Sequence, residues 1–210
     1  MLRRQIEAVF EELRPAAVKT GMLYSVENIQ VVVNFFRNSK FKNQKSKLIV
    51  DPVMVSTSGA RLLKSAAIKI LKKQLLPRAT LVTPTLHEAG ILIGKKITTV
   101  GNMRAAAREI HARFGCAALV KGGHLRGMRE AADIFFDGRT ELLLTAPFVK
   151  GVRTHGTGCA YSAAITAALA LGRNLPHAVE LAKNYITQAI ARNYRVAGYF
   201  ALNHSAPRRM

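Results

Sequence analysis

The sequence predicts an α/β fold in which helices cover both faces of a mostly parallel central sheet, a three-layer αβα arrangement. Three observations carry this. Short apolar runs at residues 47–51, 79–83 and 117–121 have the length of strands buried on both faces. The segments between them repeat apolar residues at helical spacing, and alternation of strand with helix implies parallel strands joined by crossovers. Asp137-Gly138 separates two alternating runs, 133–137 and 141–145, which is the signal of a hairpin forming an antiparallel edge.

Each element has its own reason. Ile6, Val9, Phe10 and Leu13 recur at helical spacing and predict a helix over 2–13, stopped by Arg14-Pro15. A strand over 16–20 ends at Gly21, and Ser25-Val26-Glu27-Asn28 opens a second helix running to Arg37. The basic stretch that follows, with Arg37, Lys40, Lys42, Lys45 and Lys47 set among Asn and Ser residues, reads as a solvated helix-to-strand loop. The strand 47–51 closes on Asp51, and Pro52 stops its pairing. A carboxylate at the C-terminal end of a strand stands where open parallel sheets place ligand chemistry. Leu62, Leu63, Ile68, Leu71 and Leu75 predict a helix over 61–76, closed by Pro77. After the strand 79–83, Pro84 begins a helix that carries Glu88 and ends at Gly94; Asn102 caps the next one, to Phe114. The strand 117–121 enters Gly122-Gly123, and beyond the hairpin two helices are expected, over 158–171 and 176–195.

With 210 residues, 49% of them hydrophobic and 21% charged, the chain has the composition of one globular domain spanning 1–210. Its richest apolar run, 163–171, is too short to span a bilayer, and the N-terminus has neither a secretory nor a transit pattern, so a cytoplasmic location is expected. Two cysteines, Cys116 and Cys159, are too few for a disulfide scaffold, and no Cys/His spacing suits zinc. The balance of 32 Lys plus Arg against 12 Asp plus Glu, a net charge of +20, favours anionic partners. The basic residues are spread along the chain, which suits a phosphate-bearing ligand better than a nucleic acid, and a nucleic-acid partner is not expected.

The chemistry gathers at Thr154-His155-Gly156-Thr157-Gly158-Cys159-Ala160-Tyr161-Ser162. Gly156 and Gly158 open backbone angles closed to other residues, so successive N–H groups can converge on an anion. The following helix adds its unpaired donors and the positive end of its dipole. Cys159 falls in the first turn, where that field favours thiolate. The structural alternative is a glycine-punctuated helix start with an inert, packed cysteine, and spacing alone does not separate the two.

Taken with Ala17-Val18-Lys19-Thr20-Gly21-Met22-Leu23, Val50-Asp51-Pro52-Val53-Met54, Leu81-Val82-Thr83-Pro84-Thr85-Leu86-His87-Glu88-Ala89 and Val120-Lys121-Gly122-Gly123-His124, the stretch closely resembles the hydroxymethylpyrimidine/phosphomethylpyrimidine kinases of thiamin biosynthesis, members of the ribokinase-like superfamily. The resemblance runs from about Gln5 to His204. It implies ATP and Mg2+ as cofactors and a pyrimidine alcohol as acceptor. Gly156, Thr157 and Gly158 would form the anion hole around the transferred phosphate, with Cys159 as the base. Lys121, Gly122 and Thr157 would meet the nucleotide, and Met22, Val53 and Asp51 the acceptor side. Glu88 and Asp51 would serve the metal. Thr85 departs from the superfamily pattern, which has Asn three residues before the glutamate.

Family members begin with a Gly-rich strand-turn-helix segment and a further strand region that build part of the pyrimidine pocket. Nothing like them precedes Met1, so the resemblance implies a chain truncated at its N-terminus, with an exposed sheet edge or apolar groove near Met22. Such an edge would be covered by a partner chain, for instance in a homodimer, or would remain an aggregation liability. Nucleotide binding would survive the truncation better than pyrimidine binding. Two other functions stay open: a pyridoxal or related B6-vitamer kinase, and a truncated non-catalytic paralogue that binds a pyrimidine or a polyanion.

Overall fold

A computed structural model of the chain describes residues 1–37, 46–56, 60–123, 125, 128–149, 151–152 and 155–205. Lys40, Lys42 and Lys45 of the basic loop, His124 and Thr154 lie outside the described residues. The elements run α1 (Leu2–Glu12), β1 (Ala17–Thr20), α2 (Val26–Arg37), β2 (Lys47–Val50), α3 (Ser65–Ile70), β3 (Leu81–Val82), α4 (Leu86–Ile93), α5 (Val100–Phe114), β4 (Ala117–Lys121), β5 (Glu130–Phe136), β6 (Glu141–Pro147), α6 (Thr157–Ala170), α7 (Leu175–Ala191), β7 (Tyr194–Val196) and β8 (Tyr199–Ala201). β1 to β6 form one sheet in sequence order. β1 to β4 are parallel, and β5 and β6 join antiparallel. Among the described residues no helix is long and apolar enough to cross a membrane.

The strands are apolar throughout because both faces are covered, and successive side chains feed different cores. Leu48, Val50, Val82, Ala118, Val120 and Ile134 pack with α2 to α5. Ile49, Leu81, Leu119 and Phe135 pack on the other face with Tyr161, Ile165 and Leu169 of α6 and Val179 and Ile186 of α7. By the same parity Asp51, Thr83, Lys121 and Asp133 belong to the α6–α7 face, so one layer of the sheet carries the polar residues at its end. α1 is held by an aromatic triad, with Phe10 edge-on to Phe35 and Phe36 at centroid distances of 4.5 and 6.0 Å.

Three helix boundaries differ from the sequence expectation, each for a local reason, while β5 begins at Glu130 rather than 133 and β3 is confined to Leu81–Val82. The helix expected over 61–76 begins only at Ser65, because Val55 and Arg61 form an antiparallel bridge and the N–H groups of Leu62 and Leu63 turn back to the Met54 carbonyl. It then widens into a π turn at Leu71–Leu75 and tightens to a 3-10 turn at Leu76–Arg78 that contains Pro77. The cap of α5 is Thr99, whose hydroxyl accepts the Asn102 N–H; Asn102 sits one turn in and accepts from Thr98. The last helix stops at Ala191 rather than 195, and Tyr194 to Ala201 fold into an antiparallel hairpin whose turn, Ala197-Gly198, has φ of 47° and 85°. Positive φ at both central residues matches the strand twist of a two-residue hairpin.

Candidate active site

Asp51 sits just past the end of β2, 3% exposed, with both carboxylate oxygens engaged. Lys121 Nζ donates to Oδ1 at 3.2 Å, the Thr83 hydroxyl donates to the same oxygen at 3.3 Å, and the Ser162 hydroxyl donates to Oδ2 at 3.1 Å. These partners come from β4, α6 and the residue that follows β3, so one carboxylate ties three neighbouring parts of the fold together. Thr83 is the residue after β3 in register with Asp51 after β2, since Val50 pairs with Val82. Ser162 also lies within 3.0 Å of the Cys159 carbonyl, which brings the start of α6 and Asp51 to the same end of the sheet.

The first turn of α6 begins at Gly156, whose φ of 79° is left-handed and free of strain only for glycine. The first helical bond is made by the Ala160 N–H to the Gly156 carbonyl, so the N–H groups of Gly158 and Cys159 have no partner within the helix. Gly158 is a glycine for a different reason from the one its spacing suggests. Its backbone is helical, but a Cβ there would stand 3.1 Å from Lys121 Nζ. A cation from β4 thus lies against the open end of a helix, where anionic oxygens would meet the dipole, backbone amides and an ammonium together. Cys159 is exposed in this turn, whereas Cys116 is buried and its thiol is pushed up to about 12 by that burial.

Glu88 is 3% exposed and its carboxylate is also occupied. Oε1 accepts the Met54 N–H at 2.8 Å, and Oε2 accepts the Thr85 N–H and hydroxyl, each at 2.9 Å, completing a capping box on α4. Thr85 therefore substitutes for an amide by capping through its hydroxyl. Glu88 also pins the segment in which Val53 adopts φ 40°, an unfavourable conformation for a β-branched residue. Thr85 bridges to Lys121, and the Lys121 N–H donates to the Pro84 carbonyl at 2.8 Å, so Glu88 and Lys121 share one corner.

The structure thus brings together Asp51, Lys121, Gly156, Thr157, Gly158 and Cys159, with Glu88 and Val53 linked through Met54. Met22 stands apart, 57% exposed beyond β1, while Thr20 at the end of that strand pairs with Val50. An apolar groove of about 480 Å³ lies along the β1 edge, lined by Ile6, Val9, Phe10, Val18, Thr20 and Leu23 among others. A second cavity of about 550 Å³ lies beside the α6 start, lined by Gly151, Val152, His155, Gly198, Tyr199 and Phe200. Sequence reasoning gave no role to Thr83 or Ser162. Strand parity was the available signal for Thr83; Ser162 carried none without the packing of α6.

An α/β sheet that ends in a lysine, buried carboxylates and a glycine-started helix has the architecture of a phosphotransferase. The chain belongs to the phosphomethylpyrimidine kinase family, whose sequence profile matches residues 1–203. It is 36% identical over 209 residues to the hydroxymethylpyrimidine/phosphomethylpyrimidine kinase of Bacillus subtilis (strain 168), covering 99% of this chain and 76% of that one. The phosphomethylpyrimidine kinase of Clostridium difficile 630 superposes with a TM-score of 0.77 at 40% identity, over 90% of this chain and 74% of that one. The pyridoxal kinase of Staphylococcus aureus in complex with AMP-PCP and pyridoxal superposes with a TM-score of 0.85 at 31% identity, over 99% and 73%. The fold is the ribokinase-like α/β fold of these kinases.

Proposed function

We propose that this chain uses ATP to phosphorylate hydroxymethylpyrimidine and then its monophosphate, giving the pyrimidine diphosphate used in thiamin biosynthesis. The observation that carries this reading is the Lys121 ammonium, held between Asp51 and the glycine-started end of α6. Phosphoryl transfer needs positioning of the phosphate, neutralisation of its charge and an acceptor for the hydroxyl proton. The amides at the start of α6, those of Gly158 and Cys159 among them, supply the first, with Gly156 setting their direction. Lys121, followed by Gly122, supplies the second. Cys159, exposed in the same turn, takes the proton of the attacking hydroxyl. Val53 and Asp51 bound the acceptor side, to which family likeness alone assigns the exposed Met22, and the cavity beside His155 is the nucleotide side.

Mg2+ fits this donor set through water. Among the described residues no three His, Cys, Asp or Glu residues stand together as a metal cage. Asp51 and Glu88 are buried carboxylates with oxygens already hydrogen-bonded, which suits an ion that keeps its waters and leans on substrate phosphates. When bound, the ion would neutralise phosphate charge. A cytoplasmic location and assembly as a homodimer complete the proposal.

A B6-vitamer kinase is the second reading, favoured by the likeness to the pyridoxal kinase. Turnover with Mg-ATP on hydroxymethylpyrimidine, its monophosphate and pyridoxal separates the readings. Faster phosphorylation of the two pyrimidines supports the first, and preference for pyridoxal supports the second. Nucleotide binding without turnover on any alcohol would instead make the chain a non-catalytic binder.

A further inference from the structure

Lys183 of α7 and Asp133 of β5 form an ion pair of 2.7 Å behind the site, with side chains 8% and 6% exposed. Neither has a role in the phosphate chemistry above, and a buried pair is by itself weak evidence of stabilisation, because desolvating two charges offsets their attraction. Their other contacts lead to the site. Asp133 Oδ1 accepts the Gly122 N–H at 2.9 Å, and Lys183 Nζ also donates to the Ala131 carbonyl at 3.1 Å. Gly122 is pressed against β5 and α5: a Cβ there would lie 2.3 Å from the Ala132 oxygen and 2.5 Å from Met103 Cε. Asp133 pairs in register with Lys121. The N–H it accepts belongs to the peptide plane joining Lys121 to Gly122, the plane that sets the direction in which the Lys121 side chain leaves β4. Tyr161 of α6 is buried beside the same carboxylate; burial first, and the Asp133 charge second, push its phenol well above the ordinary value.

We propose that Asp133 positions the nucleotide-binding corner: its side-chain oxygen, with the carboxylate charge balanced by Lys183, accepts the Gly122 N–H, fixes the Lys121-Gly122 peptide and so aims Lys121 at the start of α6. Asp133 is a positioning residue, and the inference rests on the assignment of Lys121 and Gly122 to the nucleotide phosphates.

Four double variants test it, each removing a charge pair together so that no ion is left buried alone. Asp133→Asn with Lys183→Met keeps an acceptor for Gly122, while Asp133→Leu with Lys183→Met removes it. Mg-AMP-PCP affinity by calorimetry, the separate KM values for ATP and hydroxymethylpyrimidine, and the melting temperature are measured for each. The asparagine variant is expected within about twofold of the parent in nucleotide affinity. The leucine variant is expected to bind Mg-AMP-PCP roughly tenfold or more weakly, the effect of one lost hydrogen bond to a buried group, with the pyrimidine KM unchanged. Should the leucine variant not fold, Asp133→Ala with Lys183→Met is read in the same way. An acceptor-free variant that melts differently but binds the nucleotide like the parent would overturn the inference, as would KM values for the two substrates that rise together. Asp51→Asn with Lys121→Met is the control. If it too binds Mg-AMP-PCP like the parent, the assignment of Lys121 fails and takes the inference with it. If it binds weakly while the acceptor-free variant does not, the inference alone fails.

Discussion

Val53, at φ 40°, is held by its neighbours rather than by its own preference, since the Met54 N–H beside it is fastened to Glu88. Gly158 shows the opposite economy, a residue whose backbone would accept any side chain but whose missing Cβ makes room for Lys121. Gly158→Ala should therefore separate folding from function. Alanine favours a helix over glycine by up to about 1 kcal/mol, so the melting temperature is expected to hold or rise. Mg-AMP-PCP affinity, read by calorimetry, is expected to fall modestly, because the Lys121 ammonium must give by a few tenths of an ångström. The two thiols should separate as well. Iodoacetamide near pH 8 is expected to label exposed Cys159 before Cys116, whose buried thiol titrates near 12, with mass spectrometry locating the adduct. Cys159→Ala is expected to lower turnover by about 10²- to 10⁴-fold, the usual contribution of proton transfer, with nucleotide affinity retained. Between an unfolded thiol at 9.0 and a native one near 12 the native state binds the extra proton. The Cys116 contribution is thus complete below pH 9 and is lost as pH rises towards 12, a slope that Cys116→Ala should remove from unfolding curves.

At the scale of elements, α4 depends on its first turn. Thr85 and Glu88 cap it reciprocally, and the same glutamate reaches across to the segment after β2. Thr85→Ala is expected to cost about 1 kcal/mol through the lost cap, measured by denaturant unfolding. A larger loss, with weakened pyrimidine binding, would show that the cap also sets Val53. Which elements form was legible wherever a period and a punctuating residue agreed, as in α1, α2, α4 and the β5–β6 hairpin. Legibility failed where long-range backbone bonds competed with the local pattern. Leu62 and Leu63 have helical spacing, yet their amides bond the Met54 carbonyl, so α3 starts later. Residues 192–201 continue an apolar-polar pattern, but the Ala197-Gly198 turn folds them into a hairpin that no helical period predicts.

At the scale of the molecule, the β1 edge and its apolar groove match the expectation of an exposed edge near Met22, with Val9 46% and Leu13 76% exposed. An edge strand beside apolar side chains favours association. Val9→Lys is expected to lower the concentration dependence of light scattering while leaving Mg-AMP-PCP affinity unchanged, because the groove flanks β1 and the anion loop belongs to α6. The sequence by itself determined the layer architecture, the doubly buried strands and the clustering of Asp51, Lys121 and the Gly156–Cys159 stretch at one end of the sheet. Strand parity, crossover direction and glycine placement are local rules that act before any packing. Only the tertiary structure decided that Lys121 fills the space Gly158 leaves, that Ser162 and Thr83 hold Asp51, and that Glu88 holds Val53 in its strained turn. It also decided that Asp133 and Lys183 stand behind Gly122. Each of these contacts joins residues far apart in the chain, and its geometry is set by how α6 and α7 settle on the sheet, which no local pattern encodes.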